Sequence, residues 1–225
     1  MAKIIAVMGE SGSGKTTSMQ HLDPETTYYI DCDKKGLSWR GWRNQYQTGV
    51  NYIANDMPTI VKNLLVWLNG KRFQDEKTKR IDTSGLKFKT VVIDTLNGLM
   101  IAEEMRNVKV NGYGKWTDLA AYIYEIIDYA LTMRNDLTVV FVGHSETISD
   151  DNGMVFTRLK TNGRKLDKIV VESKFTTVLL AECKDGRYVF HTHADHSTAK
   201  TPLGAFEEHE IENDIVKVIK ALEEF

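Results

Sequence analysis

An apolar run, Lys3-Ile4-Ile5-Ala6-Val7-Met8, opens without a break into Gly9-Glu10-Ser11-Gly12-Ser13-Gly14-Lys15-Thr16. The run reads as a buried strand, and the stretch Thr17 to Leu22 that follows reads as helical. Strand, glycine-rich turn and helix in that order are the setting in which G-x-x-x-x-G-K-[ST] forms a phosphate-binding loop. Glycines at 9, 12 and 14 let the backbone wrap an anion, so that successive N–H groups and the start of the next helix face phosphate oxygens. Lys15 is placed for the β- and γ-phosphates, and the Thr16 hydroxyl for Mg²⁺. Gly9, Glu10, Ser11, Gly12, Ser13, Gly14, Lys15, Thr16 and Thr17 form the candidate nucleotide-binding set, with ATP and Mg²⁺ as expected cofactors. No residue pattern chooses ATP over GTP.

A second anchor is Thr90-Val91-Val92-Ile93-Asp94-Thr95, a β-branched apolar strand ending in an acid. That is the pattern in which a carboxylate holds Mg²⁺ across from the loop threonine, so Thr16 and Asp94 are the candidate metal pair. Two further strands end in polar residues. Thr27-Tyr28-Tyr29-Ile30 runs into Asp31-Cys32-Asp33, where Asp33 is the candidate to polarise the attacking water and Asp31 its competitor; both acids could equally just end the strand. Leu137 to Val142 runs into Gly143-His144-Ser145-Glu146, where His144 is the candidate γ-phosphate sensor or a buried, hydrogen-bonded histidine.

Composition bounds the rest. A chain of 225 residues with two distant cysteines, Cys32 and Cys183, suits one α/β domain without a disulfide framework or zinc cluster. The N-terminus enters the first strand without a leader, and no apolar run has membrane-span length, so a cytoplasmic protein without a membrane partner is expected. Net charge is −2, so any nucleic-acid site must be local.

Helices are expected over Met57 to Asn69, Leu96 to about Val108, a stretch after Trp116 capped by Thr117 or Asp118, and a last one capped by Asn213. Lys71 to Lys89 reads as a solvated loop and Thr147 to Val171 as turn-rich. Phe175 to Cys183 and Tyr188 to His191 read as a hairpin on an Asp185-Gly186 turn. Trp39 and Trp42 suit core packing or base stacking. His191, His193 and His196 near Asp195 have metal-like spacing but no helix to gather them. Two loops combine cations with aromatics, as single-stranded nucleic acid requires: Lys109 to Trp116, with Lys109, Tyr113 and Lys115, and Arg158 to Lys168, with Arg158, Lys160, Arg164, Lys165 and Lys168 near Phe156. Ordinary surface loops would fit both.

Taken together, the loop Gly9 to Thr16, Tyr29-Ile30-Asp31-Cys32-Asp33, Val92-Ile93-Asp94-Thr95 and Phe141-Val142-Gly143-His144 resemble the RecA/Rad-type ATPase core. They are more closely similar to small phage-encoded P-loop ATPases of that group linked to single-strand annealing and recombination, the Sak type. The resemblance implies a RecA-like P-loop NTPase core: a mainly parallel central sheet flanked by helices, with antiparallel strands added near the C-terminus, spanning residues 1–225 as one domain. It implies a Mg²⁺-dependent, DNA-stimulated ATPase in the host cytoplasm that binds single-stranded DNA, works beside a single-strand-binding protein, and assembles as a homo-oligomer. It places Lys15, Asp33 and His144 as catalytic residues, with Asp33 where the family carries a glutamate and His144 where it usually carries glutamine. A cation from a neighbouring subunit would complete the site, with Lys200 or Lys184 in that part. Two other classes use the same loop: a kinase of a nucleotide or small molecule with Arg158 and Arg164 as a lid, and a regulator that binds ATP without turning it over.

Overall fold

The computed structural model describes residues 1–109, 114–149, 153–162 and 170–225. Its eight-strand path begins at the C-terminal edge with β11 (Glu210–Glu212), β10 (Arg187–His191) and β9 (Thr177–Lys184). It continues through β1 (Lys3–Gly9), β7 (Thr138–Ser149), β6 (Thr90–Asp94) and β2 (Thr27–Asp31) to β3 (Tyr52–Ala54). From β9 to β3 the pairings are parallel; β10 and β11 are added antiparallel, the arrangement expected from the sequence.

The central strands are apolar on both faces because both faces are covered. In β1, Ile4, Ala6 and Met8 enter one core layer while Ile5 and Val7 enter the other; Val91 and Ile93 of β6 divide from Val92 in the same way. The first layer holds α2 (Pro58–Leu68), α3 (Leu96–Arg106) and α4 (Gly114–Leu131). The second holds an aromatic group around Tyr29, with Tyr46 and Tyr52, and the last helix, α5 (Ile215–Ala221). Trp39 and Trp42 join that group from the side, so they serve as packing. Trp42 belongs to the one-turn α1 (Trp42–Gln45).

Several local expectations need correction. The helix expected over Thr17 to Leu22 is a single 3₁₀ turn, Thr17–Met19. Pro24 disfavours helical backbone at Asp23, leaving too little chain for a longer helix before β2. The loop expected over Lys71 to Lys89 contains a small hairpin, β4 (Phe73–Asp75) with β5 (Arg80–Ile81), and a 3₁₀ turn over Ser84–Lys87. Strand β7 does not stop at Val142: it carries His144 and runs to Ser149, pairing antiparallel with β8 (Val155–Leu159), so the first part of the turn-rich segment contributes two paired strands. Helix α4 begins before Thr117 and Asp118, so neither is its cap. The cap of α5 is Asp214, whose side chain accepts the Val216 N–H, and not Asn213.

Candidate functional site

The carboxyl ends of β1, β7, β6 and β2 lie side by side, and the register aligns Gly9 with His144, Asp94 with Val142, and Asp31 with Asp94. Strand β7 separates β1 from β6. The loop lysine and the β6 acid therefore face each other across one strand, with His144 between them.

Lys15 is buried and its ammonium is folded back on the loop, donating to the Gly9 carbonyl at 2.7 Å and the Glu10 carbonyl at 2.5 Å. Burial pulls its pKa down to about 8, and the cation of Lys35 adds to that shift. An anion in the loop would relieve both effects. With the following helix reduced to one 3₁₀ turn, the anion cradle is the loop backbone, in which Gly12 and Gly14 adopt φ of 82° and 91°.

Thr16 Oγ1 donates to Asp94 Oδ2 at 2.8 Å, and Tyr29 Oη donates to the same oxygen at 2.6 Å. Asp94 is buried, its pKa raised by desolvation, and its other oxygen, Oδ1, has no hydrogen-bond partner among the described residues. A buried carboxylate oxygen left open beside a threonine hydroxyl fits a hard divalent cation held directly or through water. The residues present therefore suit Mg²⁺.

Asp31 and Asp33 have distinct positions. Asp31 is buried and fully engaged, accepting the N–H groups of Lys34 and Gly36 and the Tyr52 hydroxyl, so it builds the turn after β2. Asp33 projects toward the site instead. Its Oδ1 accepts the Thr95 hydroxyl at 2.9 Å, and its Oδ2 faces Lys35 Nζ at 2.6 Å. The Thr95 hydroxyl also accepts the Gly98 N–H, which fixes it at the start of α3.

A cavity of about 230 Å³ is lined by the loop residues Ser11 to Thr17 except Ser13, and by Lys35, Ser38, Thr95, His144 and Tyr188. Burial, with Lys15 next in weight, lowers the His144 pKa and favours the neutral ring. Its backbone N–H donates to Asn97 Oδ1 at 2.7 Å. The Tyr188 ring presses on Gly14, where a Cβ would stand 2.7 Å from Cδ1, so that glycine is required by a close approach as well as by φ.

Other candidate residues lie apart. Lys109 is exposed just beyond the end of α3. Arg158 pairs with Glu146 at 2.9 Å, and Lys160 is exposed while its backbone binds His144 and Asn97. Tyr113, Arg164, Lys165 and Lys168, and the Lys115 side chain, lie outside the described residues. Lys200 pairs through its backbone with Val178, level with Ala6 and so well below the loop; Lys184 pairs with Glu182 and Glu210. Of the histidines, His191 bonds Glu182, His193 stacks on His209, and His196 is exposed near Asp195. Sequence reasoning missed Tyr29, Lys35, Asn97 and Tyr188, whose roles depend on register and turn geometry rather than on any motif.

No curated protein matches the chain. Among solved structures it is similar to the P4 protein from bacteriophage phi6 in complex with ADP, at 18% identity and a TM-score of 0.38, over 84% of this chain and 55% of that one. This chain thus spans about half the length of that protein, a likeness too distant to carry an argument. The family model described as an AAA domain matches residues 1–203. With the strand-borne phosphate loop and the acid facing its threonine, this match makes the chain a member of the AAA-domain family of P-loop nucleoside triphosphatases.

Proposed function

We propose that the chain is an ATPase that binds single-stranded DNA and promotes annealing or strand exchange during recombination, working as an assembly of like subunits. The observation that carries this reading is the continuity of β7. The strand passes the nucleotide cavity at His144 and runs on through Ser145 to Ser149, which pair with β8, so Arg158 lies opposite the continuation of the same strand and Lys160 donates its backbone N–H to the His144 carbonyl. A shift of His144 is thereby a shift of the hairpin that carries cations.

In this mechanism Lys15 leaves the Gly9 and Glu10 carbonyls and neutralises charge on the terminal phosphates. Thr16 and Asp94 Oδ1 would hold Mg²⁺, which supplies further positive charge at the phosphate oxygens. Tyr29 keeps its bond to Asp94 Oδ2 and fixes the carboxylate's orientation. Asp33 orients the attacking water, held by Thr95 against the start of α3. Neutral His144 hydrogen-bonds in the cavity and transmits the nucleotide state through Asn97 and β7.

The test is ATP hydrolysis with and without single-stranded DNA across a salt titration, with Lys15→Ala as the blank. Stimulation that fades as salt rises is expected, because Lys and Arg contacts to phosphates release counterions. Hydrolysis indifferent to DNA, with no DNA binding, would overturn the DNA-coupled reading. Phosphoryl transfer to a small acceptor would replace it with a kinase; nucleotide binding without turnover would replace it with a regulator.

A further inference from the structure

Asp33 is the proposed water-orienting carboxylate, yet both of its oxygens are engaged. Oδ1 accepts from Thr95, and Oδ2 is covered by the Lys35 ammonium at 2.6 Å. Each partner occupies an acceptor position of Asp33, so a water proton reaches the carboxylate more readily once one partner leaves. The two partners are unequal. Thr95 is buried and its hydroxyl is also tied to the Gly98 N–H. Lys35 has a side chain 58% exposed, on a long flexible stem, in an ion pair of the weakly held surface kind. Lys35 is the partner free to move.

Its anchor point, by contrast, is fixed. Lys34 and Gly36, on either side, have φ of 57° and 80°, and buried Asp31 accepts the N–H of each. The turn therefore sets the Lys35 backbone at the rim of the cavity that also holds Lys15, Thr16 and His144. Lys35 and Lys15 repel across that cavity, and Lys35 also disfavours a charged His144. Lys15 and Lys35 both line the cavity beside the phosphate loop, so an anion bound there meets two cations, a place for more negative charge than one phosphate brings.

We infer that Lys35 is a terminal-phosphate latch: it covers Asp33 when the γ position is empty and transfers to the γ-phosphate when a nucleoside triphosphate binds, uncovering Asp33. The inference rests on the proposed role of Asp33 in hydrolysis. A nucleoside diphosphate lacks the group that draws Lys35 away, so Asp33 stays covered in the product complex. Lys35 thereby distinguishes triphosphate from diphosphate, as a phosphate-contacting residue in one state and a cover on Asp33 in the other.

The experiment measures dissociation constants of the full chain for a non-hydrolysable ATP analogue and for ADP, in wild type, Lys35→Ala, Lys35→Arg, Asp33→Asn and the double variant Asp33→Asn/Lys35→Ala. Lys35→Ala should weaken the analogue about tenfold, the loss of one charge-assisted contact, and leave ADP within about twofold. Lys35→Arg should restore most of the difference. Asp33→Asn should tighten the analogue because the latch has no resting partner, and that gain should vanish in the double variant. A Lys35→Ala chain of unchanged melting temperature that keeps the wild-type ratio of the two constants, or weakens both nucleotides alike, overturns the latch. Wild-type turnover against the Lys15→Ala blank separately tests the hydrolysis reading; a wild type that turns over ATP while Lys35→Ala changes neither constant sinks the latch alone. A wild type that binds neither nucleotide sinks both.

Discussion

The backbone N–H of His144 ends on the side-chain oxygen of Asn97 at 2.7 Å, while the same amide's nitrogen donates to the Lys160 carbonyl at 3.0 Å. One buried side chain at the start of α3 thus fastens β7 at His144 to the residue that follows β8. Asn97→Ala removes both bonds and leaves the half-buried His144 N–H unpaired, while the carbonyl of exposed Lys160 is left to solvent. The expected loss is about 1–3 kcal/mol, carried mainly by the His144 donor, since an unsatisfied buried group costs ~1–3 kcal/mol. Urea denaturation at neutral pH measures it. Asn97→Asp keeps an acceptor for His144 but no donor for Lys160, so its loss should be smaller for the first bond and retained for the second. A loss below about 0.5 kcal/mol for Asn97→Ala, within the range of ordinary surface changes, would refute the fastening role.

Lys15 gives the site a pH dependence of defined sign. In the free chain its pKa is lowered to about 8 by burial. Phosphates beside the ammonium favour its charged form, so the bound chain holds the proton to higher pH. Affinity for ATP or ADP should therefore fall as pH rises through 8, by up to about tenfold per unit, with proton uptake on binding rising toward one above that pH. Calorimetry in buffers of different ionisation heat reads both quantities. Affinity constant from pH 7 to 9.5, without proton uptake, would contradict it.

How much of this was legible before the structure depends on range. Strands β1, β6 and β7 declare themselves because both sheet faces are covered, which forces continuous apolar runs that end where the chain reaches the site. The phosphate loop and Asp94 follow from those ends. The helix after the loop failed because a periodic stretch of six residues carries little weight against Pro24. The β7–β8 hairpin stayed hidden because Ser145 to Ser149 is mostly polar, an exposed ladder that composition cannot tell from a loop. Asp31 and Asp33 could not be separated by spacing: only the turn at Lys34 and Gly36 turns one inward as a cap and leaves the other facing Thr95. Tyr29 meets Asp94 through strand register, a relation that neither segment contains by itself.

Asp94 carries a stability signature. Burial raises its folded pKa above the unfolded value, so its contribution is fully present below the ordinary carboxylate range and is lost as pH rises through the folded pKa. Asn at this position does not titrate. The stability difference between Asp94→Asn and wild type, in the absence of metal and nucleotide, should therefore shift in favour of the variant as pH rises from about 4 toward neutrality. Denaturant melts at a series of pH values give the difference directly. A difference constant with pH, or one moving toward wild type, would count against a desolvated carboxylate. The same substitution should weaken Mg²⁺-dependent nucleotide binding, since Oδ1 is the open oxygen.

Gly98 offers a test of Asp33 that leaves the phosphate loop untouched. It lies in the first turn of α3, where replacing glycine with alanine would ordinarily stabilise a helix by about 0.5–1 kcal/mol. Here the added Cβ would stand 2.5 Å from Asp33 Oδ1 and 2.7 Å from the Cys32 carbonyl. The carboxylate can swing aside, but the Cys32 backbone is held by its N–H to the Asp94 carbonyl at 2.6 Å. Crowding against fixed backbone costs about 1–3 kcal/mol, so the overlap outweighs the helical gain and the net effect is destabilising. Asp33 and Thr95 are displaced together, while the loop Gly9 to Thr16 follows β1, two strands from the β6 that leads into α3. Gly98→Ala should therefore bind ADP with near wild-type affinity and hydrolyse ATP at least about tenfold more slowly, the lower range for a misplaced general base. Paired binding and turnover measurements on one preparation decide it. Full turnover in a destabilised Gly98→Ala chain would mean that Asp33 does not orient the water, and would return that role to another group at the cavity, with His144 the first to replace.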